Sequence, residues 1–369
     1  MDFKIATLQA LRPRAVQTSS FRAVVGLDGF VDTIVQPVAV RTGPGDRFTP
    51  LETIAAFGAR IQAAAGKSTN IELYPRLDKL GGNGPIMAHA LLATGLRVRY
   101  IGALGDPSPH AVFRDFARRT RAVSLCDAAH TIAAEFTDGK IMLGMMRSLD
   151  EITFERIVAR MGAAALRSEL AAADLVALVN WTMIPHMTAV LERLVADVYP
   201  KLPRRARRFF FDLADPEKRS AADLGAVLRL LGRFEPFGRV TLGLNLKEAQ
   251  QVFAVLRFKA VPENERGLRT MAARIREKLG LAAVVIHPKE SAACATADGT
   301  WWVPGPYASR PLITTGAGDH FNAGFATGQL LGLPPESCLC LGVCTSGHYV
   351  RTGRSPSLKD LAKFIADWR

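Results

Sequence analysis

Short apolar or β-branched runs alternate along the chain with longer stretches in which apolar residues recur at helical spacing. Phe21–Gly26, Arg97–Ile101, Leu175–Asn180, Arg208–Leu213, Arg239–Leu244 and Ala282–His287 read as strands. Pro85–Thr94, Phe154–Leu170, Met187–Val198, Ala221–Leu231, Leu246–Leu256 and Leu268–Leu279 read as helices between and around them. Strands separated by helices of that length imply βαβ crossovers, hence a mostly parallel sheet covered on both faces. The expected class is a doubly wound α/β fold.

Two segments break the alternation. Within Thr131–Met146, the runs Ile132–Thr137 and Lys140–Met145 flank Asp138-Gly139, a dipeptide suited to a type I′ hairpin turn. A hairpin there stands off a parallel sheet; with an extended stretch over Val31–Val40 it predicts a small β lid at one end of the sheet. A second hairpin is expected over Ala292–Val303, turning at Asp298-Gly299. No repeat, low-complexity tract or long linker divides the chain, whose 369 residues suit two domains or one large α/β domain, with lid segments at about 31–50 and 128–148.

Composition narrows the class. The 369 residues are 49% hydrophobic and 22% charged, with mean hydropathy +0.11, which excludes a disordered chain. The longest apolar runs, such as Ala171–Val179 with Asp174 inside it, fall short of the ~18 residues of a membrane span. Met1–Arg14 lacks the pattern of a secretory signal, so a cytoplasmic protein with no membrane partner is expected. Among five cysteines, Cys338, Cys340 and Cys344 match neither CxxC nor a zinc-ribbon spacing and read as small core residues on a helix. A net charge of +13 favours anionic partners such as nucleotides, sugar phosphates or nucleic acid, among which charge alone does not choose. The densest basic run, Arg204 to Arg208, has no interleaved aromatics and leads into Phe209–Phe211, the pattern of a solvated face ahead of a buried strand. No nucleic-acid partner is expected.

The chemistry concentrates in Thr314-Thr315-Gly316-Ala317-Gly318-Asp319, ahead of the small-residue run His320–Gly328. Glycines let backbone N–H groups turn inward at a helix N-terminus, which makes an anion site. An Asp at its mouth either takes a proton from a hydroxyl attacking a phosphoryl group or simply complements the helix dipole.

The run Ile313–Asn322, ITTGAGDHFN, resembles the C-terminal signature of the ribokinase-like carbohydrate kinases of the phosphofructokinase-B (PfkB) type, DTxGAGDxF followed by Asn. The resemblance implies that Asp319 is the catalytic base and that the amides of Gly316, Ala317 and Gly318 form an anion hole. Gly81-Gly82-Asn83-Gly84 is similar to the family's double-glycine sugar turn. Gly26–Asp32 resembles its first strand and sugar-binding carboxylate, with Asp32 the closer match and Asp28 the second; turn or cap chemistry is the other use of such residues. Asn245-Leu-Lys-Glu248 resembles the NxxE motif, which holds water-bound magnesium near the nucleotide phosphates, and it is also the pattern of a capped helix N-terminus. Four motifs in order span roughly Phe21 to Ser357. They imply a single Rossmann-like αβα domain over residues 1–369 with a small β lid that in the family often also mediates dimerisation, ATP as co-substrate, and Mg²⁺.

The chain departs from the pattern in several places. Ile313 stands where the family commonly has an Asp associated with a monovalent-cation site, and an apolar side chain cannot ligate potassium. The TxGxxG run that approaches the nucleotide is replaced by His287-Pro-Lys-Glu-Ser-Ala292, where Lys289 is the candidate phosphate contact. Ile86 replaces the Asn that many sugar kinases carry after the double glycine, leaving Asn83 or His89 to supply that bond, although His89 on a helix reads more readily as a packing residue. Gly66-Lys67-Ser68-Thr69 is not a phosphate loop, because its upstream glycine position holds Ile61; Gly66 is expected to cap an Ile54–Ala65 helix. The expected activity is ATP-dependent phosphorylation of a hydroxyl, a primary alcohol, on a sugar or sugar-like ligand. The alternatives are a nucleoside kinase, for which Phe136 is a candidate lid aromatic, and a silent sugar- or nucleotide-binding protein.

Overall fold

A computed structural model of the chain describes residues 2–368. Its strands are β1 (Arg22–Leu27), β2 (Phe30–Arg41), β3 (Phe48–Pro50), β4 (Leu73–Gly81), β5 (Arg97–Gly102), β6 (Val123–Ser124), β7 (Ala129–Phe136), β8 (Gly139–Met145), β9 (Leu175–Leu178), β10 (Arg208–Asp212), β11 (Arg239–Leu244), β12 (Ala283–Ile286), β13 (Ser291–Thr296) and β14 (Gly299–Pro304). A nine-stranded sheet runs β14-β13-β12-β11-β10-β9-β1-β5-β6. It is parallel from β12 to β6, with the expected β13–β14 hairpin added antiparallel at one edge.

Side-chain alternation along the strands feeds two cores. Phe209 and Phe211 pack on one face of β10 and Phe210 on the other; Val284 and Ile286 divide from Val285 on β12 in the same way. Both faces of these strands are therefore buried, which is why they read as continuous apolar runs. The helices of residues 154–279 cover one face, and Asn83–Ala93, Ala317–Leu330 and Pro335–Thr352 cover the other. This is the three-layer α/β arrangement. Cys338, Cys340 and Cys344 lie buried on the Pro335–Thr352 helix, and Cys126 and Cys294 are buried elsewhere; all are free.

The lid is a second sheet. β2 pairs antiparallel with β3 and β4 and parallel with β7, and β7 turns into β8 at Asp138-Gly139. Segment Leu73–Gly81 was not expected as a strand: Pro75 and the polar residues around it give no apolar alternation, and most of it stays solvent-exposed. Two expected helices also differ. The Phe154–Leu170 pattern is divided at Gly162, whose φ of +82° ends one helix at Met161 before the next begins at Ala163. The helix from Ile54 closes at Gln62, so Gly66, at φ +74°, lies in the turn beyond rather than at its cap. Among the described residues no helix is long and apolar enough to cross a membrane.

Candidate active site

The carboxyl ends of β1, β9, β10, β11 and β12 bring Asp28, Asn180, Asp212, Asn245 and His287 to one edge of the large sheet. That edge holds the point where strand order reverses, between β1 and β9. In open parallel sheets the crevice at such a point is where ligands bind.

Asp28 lies beneath the double-glycine turn rather than in the cavity. It is fully buried. Its Oδ2 accepts from the Asn83 N–H at 2.9 Å and from Asn180 Nδ2 at 2.7 Å, and its Oδ1 accepts from the Gly84 N–H at 2.8 Å. Burial nonetheless pushes its carboxyl up to about 6, against those three hydrogen bonds. Its oxygens are engaged in fixing the turn, which corrects the expectation that Asp28 could hold a sugar hydroxyl.

Asp32 is placed differently. Its half-buried carboxylate lies against Gly81, where a Cβ would collide with it, and the adjacent Gly82 turns at φ +98°. Both glycines are required, one by close approach and one by backbone conformation. Asp32 opens into a cavity of about 170 Å³ between lid and sheet, which also meets Ile34, Lys79, Ile86, Lys140, Met142 and Tyr349. Burial raises the Asp32 carboxyl, and Lys140 and Lys79 oppose that rise. Phe136 packs on Phe57 with centroids 5.4 Å apart and is not among the residues lining this cavity.

Asp319 sits in the first turn of the Ala317–Leu330 helix, 5% exposed, and Asn83 Nδ2 donates to its Oδ1 at 3.0 Å. Burial, the neighbouring Asp212 charge, and then Asp28 and Glu248 hold its carboxyl well above the usual range; the Asn83 bond opposes them. The loop ahead of it is left-handed at Gly316, φ +86°. The amides do not all face the same way: the Ala317 N–H donates back to the Thr314 carbonyl at 3.2 Å, while Gly316 and Gly318 have no backbone acceptor among the described residues. Ala317 is thereby corrected from an anion-hole donor to a turn residue.

Asn245 and Glu248 form a complete capping box. Asn245 Oδ1 accepts from the Glu248 N–H at 3.0 Å and Glu248 Oε2 from the Asn245 N–H at 2.8 Å. Glu248 Oε1 also accepts from the Asp215 N–H at 2.8 Å. The same two side chains line a second cavity of about 480 Å³, together with Asp212, His287, Lys289 and the Gly316–Asp319 loop. Burial and the Asp212 charge raise the Glu248 carboxyl. Among the described residues no His, Cys, Asp and Glu side chains cluster tightly enough to ligate an ion directly.

The loop Thr314–Gly316 runs between the two cavities: Thr314 and Gly316 line the larger, while Thr315 and Ile86, which packs against Gly316, line the smaller. One is small and lidded, the other larger and acid-lined, and Asp319 lines the larger just after the loop that divides them.

The chain matches the prokaryotic ketohexokinase family model over residues 5–368. It belongs to that family. A ketohexokinase of Haloferax volcanii is 28% identical over 349 residues, covering 94% of this chain and 91% of that one. Among solved structures, a carbohydrate kinase from Agrobacterium tumefaciens superposes with a TM-score of 0.64 at 18% identity, covering 94% of this chain and 97% of its own. Arabidopsis thaliana ribokinase complexed with ribose and ATP gives 0.60 at 16% identity, covering 94% and 98%. The fold is that of the ribokinase-like kinases, and the protein is a carbohydrate kinase.

Several site residues escaped the sequence reading. Asp212 ends an apolar strand, and only the fold places it beside Asp319; its Oδ2 accepts from Asn322 Nδ2 at 2.7 Å. His287 lines the acid cavity with a buried Nε2 that has no hydrogen-bond partner among the described residues. Lys79 and Lys140 come from the lid, and their position depends on register across strands that contact only in three dimensions. An Asp at the end of a parallel strand was the one signal available.

Proposed function

We propose that this kinase transfers the γ-phosphoryl group of ATP to a primary hydroxyl of a ketohexose, with Asp319 as general base. The observation that carries the reading is the position of Asp319, buried on the wall of the acid-lined cavity just after the loop that divides it from the lidded one, and oriented by Asn83. The sugar occupies the smaller cavity, where Asp32 accepts from its hydroxyls and the Gly81–Asn83 turn borders it. The nucleotide occupies the larger, with Lys289 at its rim. Asp319 takes the proton of the attacking hydroxyl, while the Gly316 and Gly318 amides meet the charge that develops on the phosphoryl oxygens.

Magnesium fits the residues present. The Asp212 charge raises the carboxyls of both Glu248 and Asp319, and Glu248 that of Asp319, a like-charge condition that a nearby cation relieves; both Glu248 oxygens already accept backbone N–H groups. Asn245, Glu248 and Asp212 would hold a hydrated ion through its waters, and such an ion supplies charge neutralisation at the phosphates. The protein is read as cytoplasmic, with a homodimer formed through the exposed lid. One observation favours a second acceptor class: Lys79 and Lys140 place cationic groups beside Asp32, as an acceptor carrying a phosphate or carboxylate needs. ADP release with Mg-ATP across ketohexoses, aldohexoses, sugar acids, sugar phosphates and nucleosides tests both. Turnover greatest with ketohexoses and abolished in Asp319→Asn is expected; turnover confined to nucleosides overturns the proposal.

A further inference from the structure

Behind the phosphate loop, two successive carbonyls are held by side chains that stack on each other. The Tyr349 hydroxyl donates to the Thr315 carbonyl at 3.0 Å, and His320 Nδ1 lies 2.7 Å from the Gly316 carbonyl. The two rings lie 3.6 Å apart at an interplanar angle of 11°. A trans peptide sets C=O and N–H on opposite sides, so drawing the Thr315 carbonyl back aims the Gly316 N–H forward, and holding the Gly316 carbonyl fixes the peptide whose Ala317 N–H closes the turn onto the Thr314 carbonyl. His320 is in turn bonded to Ser355, Nε2 to Oγ at 2.8 Å, and Ser355 to His89, Oγ to Nδ1 at 3.0 Å.

The direction of this chain follows from its members. A carbonyl can only accept, so His320 Nδ1 carries the proton. A neutral His320 then offers Nε2 as an acceptor to the single Ser355 hydroxyl hydrogen, which leaves Ser355 Oγ to accept from His89 Nδ1–H. Burial keeps both rings neutral: it lowers His89 and takes His320 down to about 4. His320 is 2% exposed and lies within the first turn of the helix that carries Asp319.

We propose that His89, Ser355 and His320 form a neutral hydrogen-bond chain that positions the phosphate loop from behind, a structural task that needs no bound cation. These are positioning residues, because none is required to touch the phosphate. The inference rests on the kinase reading for its kinetic consequence, but its structural content stands apart from it.

Two measurements separate those parts. Long-range ¹H–¹⁵N spectra of the full chain, with His89→Asn and His320→Gln for assignment, are expected to show both rings as the Nδ1–H tautomer. A charged ring or the Nε2–H form at His320 overturns the chain whether or not the protein is a kinase. In steady-state assays with fructose and Mg-ATP, Ser355→Ala is expected to lower kcat about tenfold, below the ~10²–10³ of losing an oxyanion donor outright, with sugar and ATP KM within twofold. Ser355→Thr, which keeps the hydroxyl, is expected to restore most of it. Unchanged kcat in Ser355→Ala, or a loss that Thr does not restore, overturns the positioning role. If wild type turns over no sugar, the kinase reading fails and the tautomer result alone decides the chain.

Discussion

Asn83 donates from its side-chain amide to Asp319 Oδ1 at 3.0 Å, across 236 residues of sequence. One residue belongs to the double-glycine turn and the other to the first turn of the Ala317–Leu330 helix, and both line the acid-lined cavity. The bond ties these distant elements together and fixes one oxygen of the Asp319 carboxylate.

Replacing Asp319 by Asn keeps the shape and removes the base. Turnover is expected to fall by ~10²–10⁴ while calorimetric binding of sugar and nucleotide stays within a few fold. A variant with wild-type kcat would remove Asp319 from the reaction.

Asp28 and Asp32 separate stability from binding. Asp28→Ala leaves the Asn83 and Gly84 N–H groups and the Asn180 amide without their acceptor. An orphaned buried donor costs on the order of 1–3 kcal/mol, so thermal denaturation is expected to show a loss of about 3 kcal/mol or more. Asp32→Ala, at a half-buried position on the cavity wall, is expected to raise sugar KM at least tenfold with little change in melting temperature. The reverse pattern would exchange the roles assigned here.

The pH–rate profile carries the electrostatics of Asp319. Its carboxyl is held well above the usual range by burial and by the Asp212 charge, so less of it is ionised at a given pH. Since the base must be ionised, kcat/KM is expected to fall with decreasing pH on a limb well above that of an ordinary carboxylate. Asp212→Asn removes a like charge, lowers the Asp319 pKa and moves that limb to lower pH. A limb that stays in place, or moves upward, contradicts the assignment.

The same buried acids set the pH dependence of stability. A carboxyl raised in the folded state binds more protons there than in the unfolded chain, so its stabilisation is present at low pH and is lost as pH rises through the folded value. Asp28, raised to about 6, is one such group, and Glu248 and Asp319 act in the same direction. Melting temperature is expected to decline from pH 5 toward 8 in calorimetric scans, with added MgCl₂ recovering part of the loss at pH 8 but little at pH 5. Equal effects of the salt at both pH values would argue against a cation near these carboxylates.

Potassium is expected to have little effect. Ile313 supplies no oxygen ligand from its side chain to the cavity it lines with Ile86, Thr315, Tyr349, Asp32, Lys79 and Lys140 among others. A flat rate between 0 and ~100 mM KCl at constant ionic strength, the range in which screening itself changes, is the expected result; steep activation would mean a cation site made without that residue.

The alternation of apolar runs and amphipathic stretches was enough to read the parallel sheet, because strands buried on both faces and helices buried on one leave opposite signatures in one dimension. The hairpin at Asp138-Gly139 was legible for a similar reason, since its turn chemistry is local. Asp319, Gly81, Gly82 and the Asn245–Glu248 pair were legible as short patterns in which backbone conformation and chemistry depend on immediate neighbours. Strand β4 was not, because an exposed lid strand has no buried face to write a period into the sequence.

What the sequence by itself determined is the fold, the order of its motifs and Asp319 as the candidate base. Tertiary structure alone decided how those motifs meet: that Asp28 supports the turn while Asp32 faces the lidded cavity, that Ala317 bonds back to its own loop, and that His320, Ser355 and His89 are joined by hydrogen bonds. The physical reason is range. A cap, a turn or an apolar period is set within a few residues, whereas burial, charge coupling and the direction of a hydrogen bond depend on groups brought together by the fold from distant parts of the chain.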